Sequence, residues 1–170
     1  MNQLKPEEYP TIYQPYIQTV VAENVLDELK EQLHTFPTFI RQIPEEKGTY
    51  AYAEDKWSIK QVLCHILDTE RIMAYRALRF SRNDMTALAS FDPEKFVYHA
   101  RHNERSFEEI IEEFDYIRKS NLILFQTFTD HELSRKGMAS DRLISVHAYL
   151  YIIAGHLNHH RIILQERYLK

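Results

Sequence analysis

Four stretches of this 170-residue chain repeat apolar residues at three- and four-residue steps, the period of an α-helix that buries one face. The first spans about 24–43 through Val25, Leu29, Leu33, Phe36 and Ile40, with Asn24 placed as its N-cap and Pro37 placed to kink it. The second runs over about 59–80 behind Ser58 and Gln61, whose three-residue separation is that of a capping box satisfying two free backbone N–H groups. Ser106 and Glu109 repeat that signature and open a third helix reaching Phe128, while Ser145 caps a fourth over about 146–168. Only 3 glycines are present, which argues against a turn-rich β protein. The pattern predicts an all-α four-helix bundle with no strands, forming one domain over 1–170. Residues 1 to about 20, with Pro6, Pro10 and Pro15, read as an extended arm on the bundle. Residues 81–105, which include Asp92-Pro93, read as a long crossover between helices 2 and 3 with room for one short turn of helix.

Composition removes several function classes. With 21 Lys+Arg against 25 Asp+Glu the net charge is -4, so no global positive field draws nucleic acid or anionic lipid to the surface. The longest uninterrupted apolar stretch, Ala148 to Gly155, falls far short of the roughly 20 residues that cross a bilayer. The opening MNQLKPEEYP lacks a basic-then-apolar signal pattern, and the single Cys64 allows no internal disulfide or CxxC motif; both features predict a cytoplasmic protein. No Gly-rich phosphate loop, GxSxG elbow or HExxH helix is present.

Nine histidines are more than packing calls for. His156 and His160 lie four apart on the fourth helix, so their side chains differ by about 40° around the axis and about 6 Å along it, and both can reach one ion. Nine histidines scattered at random give roughly 0.5 such pairs, so spacing alone does not establish a site. Context adds to it: the helix is rich in Ile, Leu and Tyr, and Gly155 costs helix stability unless something approaches closely there. His65 stands early in the second helix among Val62, Leu63, Ile66 and Leu67, where a histidine taken alone is more often a hydrogen-bonded core or boundary residue. Taken together, three neutral imidazoles from two helices suit a divalent metal, Zn²⁺ or Ni²⁺, and leave coordination positions open to water or substrate.

With these residues the sequence resembles the DinB-like superfamily, in its branch of metal-dependent hydrolases and low-molecular-weight-thiol transferases. The resemblance rests on Lys56-Trp57-Ser58-Ile59-Lys60-Gln61-Val62-Leu63 followed by His65, on Asp68-Thr69-Glu70-Arg71, and on Ile152-Ile153-Ala154-Gly155-His156-Leu157-Asn158-His159-His160, and spans nearly the whole chain. It implies a four-helix bundle whose three metal-binding histidines correspond to His65, His156 and His160. Where this chain has Leu157 the family commonly has an acidic residue, which is not a ligand. Members include bacillithiol transferases, mycothiol-using maleylpyruvate isomerases and proteins without an established activity, so the resemblance implies metal binding more directly than any one reaction.

Two functional readings follow. In one, the metal activates a thiol, with bacillithiol as cosubstrate, or water, against a small-molecule substrate. In the other, the ion ties two helices together in a non-catalytic stress-response protein. Asp68, one turn beyond His65, either supports an imidazole from behind or pairs with Arg71 at the surface. Glu70 and Arg71 read as surface pairs, and His34, His99, His102, His131 and His147 as surface, rim or boundary residues. Cys64 reads as a buried filler and Trp57 as a staple at the start of the second helix. By analogy with the family, the tyrosine-bearing arm suggests a homodimer. The helical register separates two neighbouring histidines: His160→Ala is expected to abolish tight metal binding, while His159→Ala leaves it within a few-fold of wild type. Calorimetric titration of the metal-free variants with Zn²⁺ or Ni²⁺ checks this, and the reverse ranking refutes the register.

Overall fold

The computed structural model describes residues 4–170; the first three residues of the expected arm and domain lie outside the described residues. The arm is built from two 3₁₀ turns, Pro6–Glu8 and Thr11–Tyr13, and one turn of α-helix, α1 (Gln14–Ile17). Its prolines sit at the starts of these turns, where a missing N–H costs no intrahelical bond. The long helices are α2 (Val25–Arg41), α3 (Ile59–Ser81), α5 (Phe107–Phe125) and α7 (Val146–Ile163), with the short α4 (Pro93–His99) inside the crossover and α6 (Asp130–Leu133) after α5. Each expected cap is formed. Asn24 Oδ1 accepts from Leu26 N, the Ser58/Gln61 and Ser106/Glu109 boxes close, and Ser145 Oγ accepts from Ala148 N. A π-helical turn over Leu164–Tyr168 finishes α7.

Between α6 and α7 lies a hairpin that the periodicity does not announce, β1 (Lys136–Ala139) paired antiparallel with β2 (Arg142–Ser145). Its two turn residues, Ser140 and Asp141, take φ of 53° and 59°, the left-handed backbone of a tight primed turn, without the Asn-Gly or Asp-Gly pair that marks such turns in a sequence. Leu88 of the crossover pairs with this hairpin: its N–H donates to Met138 O and its carbonyl accepts from Ser140 N.

In the bundle, α3 packs on α7 and α5, and α2 packs on α5 and α7, so the consecutive helices α2 and α3 stand at opposite corners. The apolar interior divides into two clusters along the bundle axis. One gathers Leu29, Phe80, Phe125 and Tyr149; the other gathers Phe36, Leu63, Phe114 and Leu157. Between them lies a polar layer centred on Arg118, whose side chain is 0 % exposed. Its Nε and Nη2 donate to the two Glu70 carboxylate oxygens, both at 2.8 Å, and Nη1 donates to Gln32 Oε1 at 2.7 Å and Leu29 O at 3.0 Å. Gln32 Nε2 in turn donates to Ala154 O and Asn158 Oδ1, each at 2.9 Å. Asn158 Nδ2 donates to Glu28 Oε1 at 2.8 Å and Thr19 O at 3.1 Å. All four long helices meet in this network. Glu70 is therefore buried and paired across helices, which corrects its reading as a surface residue: helical period places it beside apolar neighbours, but only the opposing α5 supplies its cation.

Removing one partner of a buried charge pair leaves the other unpaired in a low-dielectric interior and costs about 3–5 kcal/mol. Glu70→Leu is expected to lower stability by about that much, read from the urea midpoint at neutral pH. The Glu70→Leu/Arg118→Leu double variant should recover part of the loss, because no orphan charge remains.

Candidate metal centre

Two residues separated by two positions on a helix differ by about 200° around its axis. Asn158 lies two residues from both His156 and His160, so when its amide faces α2, both histidines are turned toward α3. His65, two turns into α3, meets them there. The Nε2 atoms of His65 and His156 are 3.1 Å apart, as are those of His160 and His156, and one nitrogen from each of the three rings lies within 4.8 Å of the others. His65 and His156 are buried and His160 is half-buried. The expected close approach at Gly155 is real: a Cβ there would stand 2.1 Å from the carbonyl oxygen of Tyr16, so glycine lets the arm lie directly on α7. Tyr16 in turn sets its ring edge-on to His156 at 5.3 Å between centroids, and Trp57 covers His65 at 4.7 Å.

Burial holds these rings neutral. His65 is pushed down to about 4, chiefly by desolvation, and His160 to about 3 by desolvation and the neighbouring His65 and His159. His156 is lowered well below the ordinary histidine value for the same reasons. Three neutral rings with converging nitrogens present lone pairs at a spacing close to the roughly 3.3 Å edge of a tetrahedron with zinc–nitrogen bonds of ~2.0–2.1 Å. The donor set therefore fits a borderline divalent cation.

The cluster opens on a cleft of about 480 Å³ between α3 and α7. The cleft is walled by Tyr13 and Tyr16 of the arm, Met73, Phe91 and Ile152, with Thr69, Arg76 and Ser140 along it. Three segments outside the long helices (the arm, the crossover and the hairpin turn) thus complete a cleft whose converging imidazole rings belong to the bundle. Trp57 plays a larger part than its reading as a staple: it lines the cleft, and its Nε1 donates to Glu94 Oε2 at 2.9 Å, tying the crossover to the start of α3.

Asp68 is set against His102, which itself acts on His65. Its Oδ2 lies 3.8 Å from His102 Nε2, burial raises its carboxyl above the ordinary value, and among the described residues it accepts no hydrogen bond from His65. His159 rests edge-on against Tyr16 at 5.1 Å and stands outside the three converging nitrogens. His34, His99 and His131 are exposed, whereas His102 and His147 are buried, the latter 3.6 Å from Glu8 Oε1. Both depart from the surface or boundary reading, because the crossover and the arm fold back over them. Cys64 is buried and its thiol is pushed up to about 11 by burial, so it stays protonated near neutrality.

Fold and site define a helical-bundle protein with a three-histidine cluster at an interhelical cleft. The sequence model of the DinB superfamily matches residues 28–164, and the chain belongs to that superfamily. Among solved structures it is similar to YfiT from Bacillus subtilis, described as a probable metal-dependent hydrolase with an unusual four-helix bundle topology. The TM-score is 0.70 at 16% sequence identity, covering 96% of this chain and 86% of that one; at this identity the likeness is one of fold. No curated protein matches the sequence. No helix among the described residues is long and apolar enough to cross a membrane.

The neutral rings make stability pH-dependent. Below the ordinary histidine value of 6.5 the unfolded chain takes up protons that folded His65 refuses until about 4 and His160 until about 3. The metal-free protein should therefore lose stability as pH falls through that window, by roughly 1.4 kcal/mol per ring per pH unit. Urea midpoints measured across the window check this, and a His65→Phe/His160→Phe variant should show a shallower slope.

Proposed function

We propose that His65, His156 and His160 hold a divalent cation, Zn²⁺ or Ni²⁺, and that the protein is a metal-dependent enzyme acting on a small molecule in the adjoining cleft. The observation that carries this reading is the convergence of the three histidines at the wall of a cavity of about 480 Å³. Three protein ligands leave coordination positions free, which a catalytic centre needs and a purely structural one does not. A cation there supplies Lewis acidity, favouring the deprotonated form of an oxygen or sulfur nucleophile at neutral pH.

The chain's own residues set the rest of the chemistry. Its single thiol, Cys64, is buried and protonated, so the nucleophile comes from outside the protein: water, giving hydrolysis, or a low-molecular-weight thiol of the bacillithiol type, giving S-transfer. Tyr16 and Trp57 shield the imidazoles from bulk water and raise the strength of electrostatic interactions beside them. Because burial keeps the rings neutral, protons compete for the ligand nitrogens only below the ordinary histidine range. A non-catalytic metal protein has less need of an open cleft at its ligands. A reducing cytoplasm is the proposed setting for a chain whose lone cysteine is buried and unpaired.

Metal analysis of protein prepared without an affinity tag is expected to find about one divalent ion per chain. His156→Ala should lose most of it, and a screen of small electrophiles with and without bacillithiol should find turnover only in the loaded wild type. Full metal occupancy in His156→Ala at neutral pH ends the ligand assignment.

A further inference from the structure

Four residues of α3 face the cleft in a row, His65, Thr69, Met73 and Arg76, at steps of four, four and three. The row runs about 16 Å along the helix axis, from the histidine cluster to a guanidinium at the far end. Arg76 is only 3% exposed, and it is the one residue of the cleft wall with a permanent charge. Among the described residues the other buried cations have carboxylate partners, Glu70 for Arg118 and Glu45 for Lys60, whereas Arg76 forms no salt bridge.

A buried guanidinium without an anion is costly unless something compensates it. Here the surroundings orient the group without neutralising it. Nη2 donates to Ala89 O at 2.8 Å and to Ser140 Oγ at 3.1 Å, Nη1 reaches Met73 Sδ at 4.0 Å, and the neutral, buried Tyr149 phenol lies beside the same guanidinium. The two oxygen acceptors are themselves fixed, because Leu88 of the crossover is hydrogen-bonded to the hairpin on both sides of that contact. Phe91 lies under the guanidinium at 5.8 Å. Partway along the same wall, Thr69 Oγ1 is buried without a hydrogen-bond partner among the described residues. Neutral imidazoles at one end and a single cation at the other leave room for one negative charge, and the Tyr13, Met73, Phe91 and Ile152 surfaces between them are apolar.

The geometry points to Arg76 as the anion-binding end of the cleft, taking the carboxylate of a small organic acid whose apolar body lies along α3 and whose reactive group reaches the histidines. This inference rests on the cleft being the substrate site. Its own consequence is carboxylate binding that needs no metal. A carboxylate suits the position better than a phosphate dianion, since a second negative charge would have no partner in the cleft.

The test is calorimetric titration of the metal-free protein with phenylbutyrate and with phenylbutyramide, which has the same apolar body and no charge. The acid should bind at least roughly tenfold more tightly than the amide, as expected for a charge-assisted hydrogen bond in a desolvated site. Arg76→Gln should remove that preference, and Arg76→Lys, which keeps a cation in place, should retain most of it. Equal affinity of the wild type for acid and amide, or no binding of the acid, overturns the proposal without recourse to any variant. Unchanged acid binding by a folded Arg76→Gln protein does so as well. The same titrations on His156→Ala separate the two readings: preserved acid binding with lost Zn²⁺ binding upholds both the anion site and the metal site, and preserved acid binding beside undiminished Zn²⁺ binding overturns the metal ligands alone.

Discussion

The bundle depends on one buried cation. Arg118 enters the interior from α5, and its three guanidinium nitrogens all donate, to both oxygens of Glu70 on α3 and to Gln32 and the Leu29 carbonyl on α2. Apolar side chains can slide past one another at little cost while their total volume is preserved, but a desolvated charge tolerates only the register that satisfies it. The network therefore does what the two apolar clusters on either side of it do less sharply: it fixes how far each helix is advanced and how it is rotated.

That constraint is transmitted to the histidines through Asn158. The amide of Asn158 continues the hydrogen-bond chain from Gln32, and the same residue reaches Thr19 at the end of the arm and Glu28 on α2. With α7 held by that face, the face carrying His156 and His160 has one direction available, toward His65. The polar layer and the histidine cluster are consequently two sides of one helix turn. Gly155, between them, admits the Tyr16 backbone and brings an aromatic ring to the edge of the cluster.

The cleft has a partly different origin from the three histidines. Its histidines and one side of its wall come from the long helices α3 and α7, but the rest of the wall comes from segments that are irregular in sequence: the arm, the crossover around Phe91 and the turn at Ser140. The backbone-to-backbone hydrogen bonds of these segments are local or made mainly to one another, and the bundle reaches them chiefly through side chains such as Asn158 and Arg76. Three histidines fixed by the bundle thus face a cleft that the connecting segments help to shape.

The sequence by itself determined what is local. The long helices, their N-caps at Asn24, Ser58, Ser106 and Ser145 and the same-face spacing of His156 and His160 all follow from interactions within a few residues. The inclusion of His65 also followed from the residues, with support from the family resemblance. What only the tertiary structure decided is which side chains meet across large separations. Glu70 and Arg118 are 48 residues apart and Tyr16 lies against a helix near the other end of the chain, and no periodicity within either segment encodes its partner. The same reason explains why Asp68, two turns from Arg76 on one helix, turns toward His102 while Arg76 turns into the cleft. A helix pattern states which face is buried, and only the packed bundle states what that face is buried against.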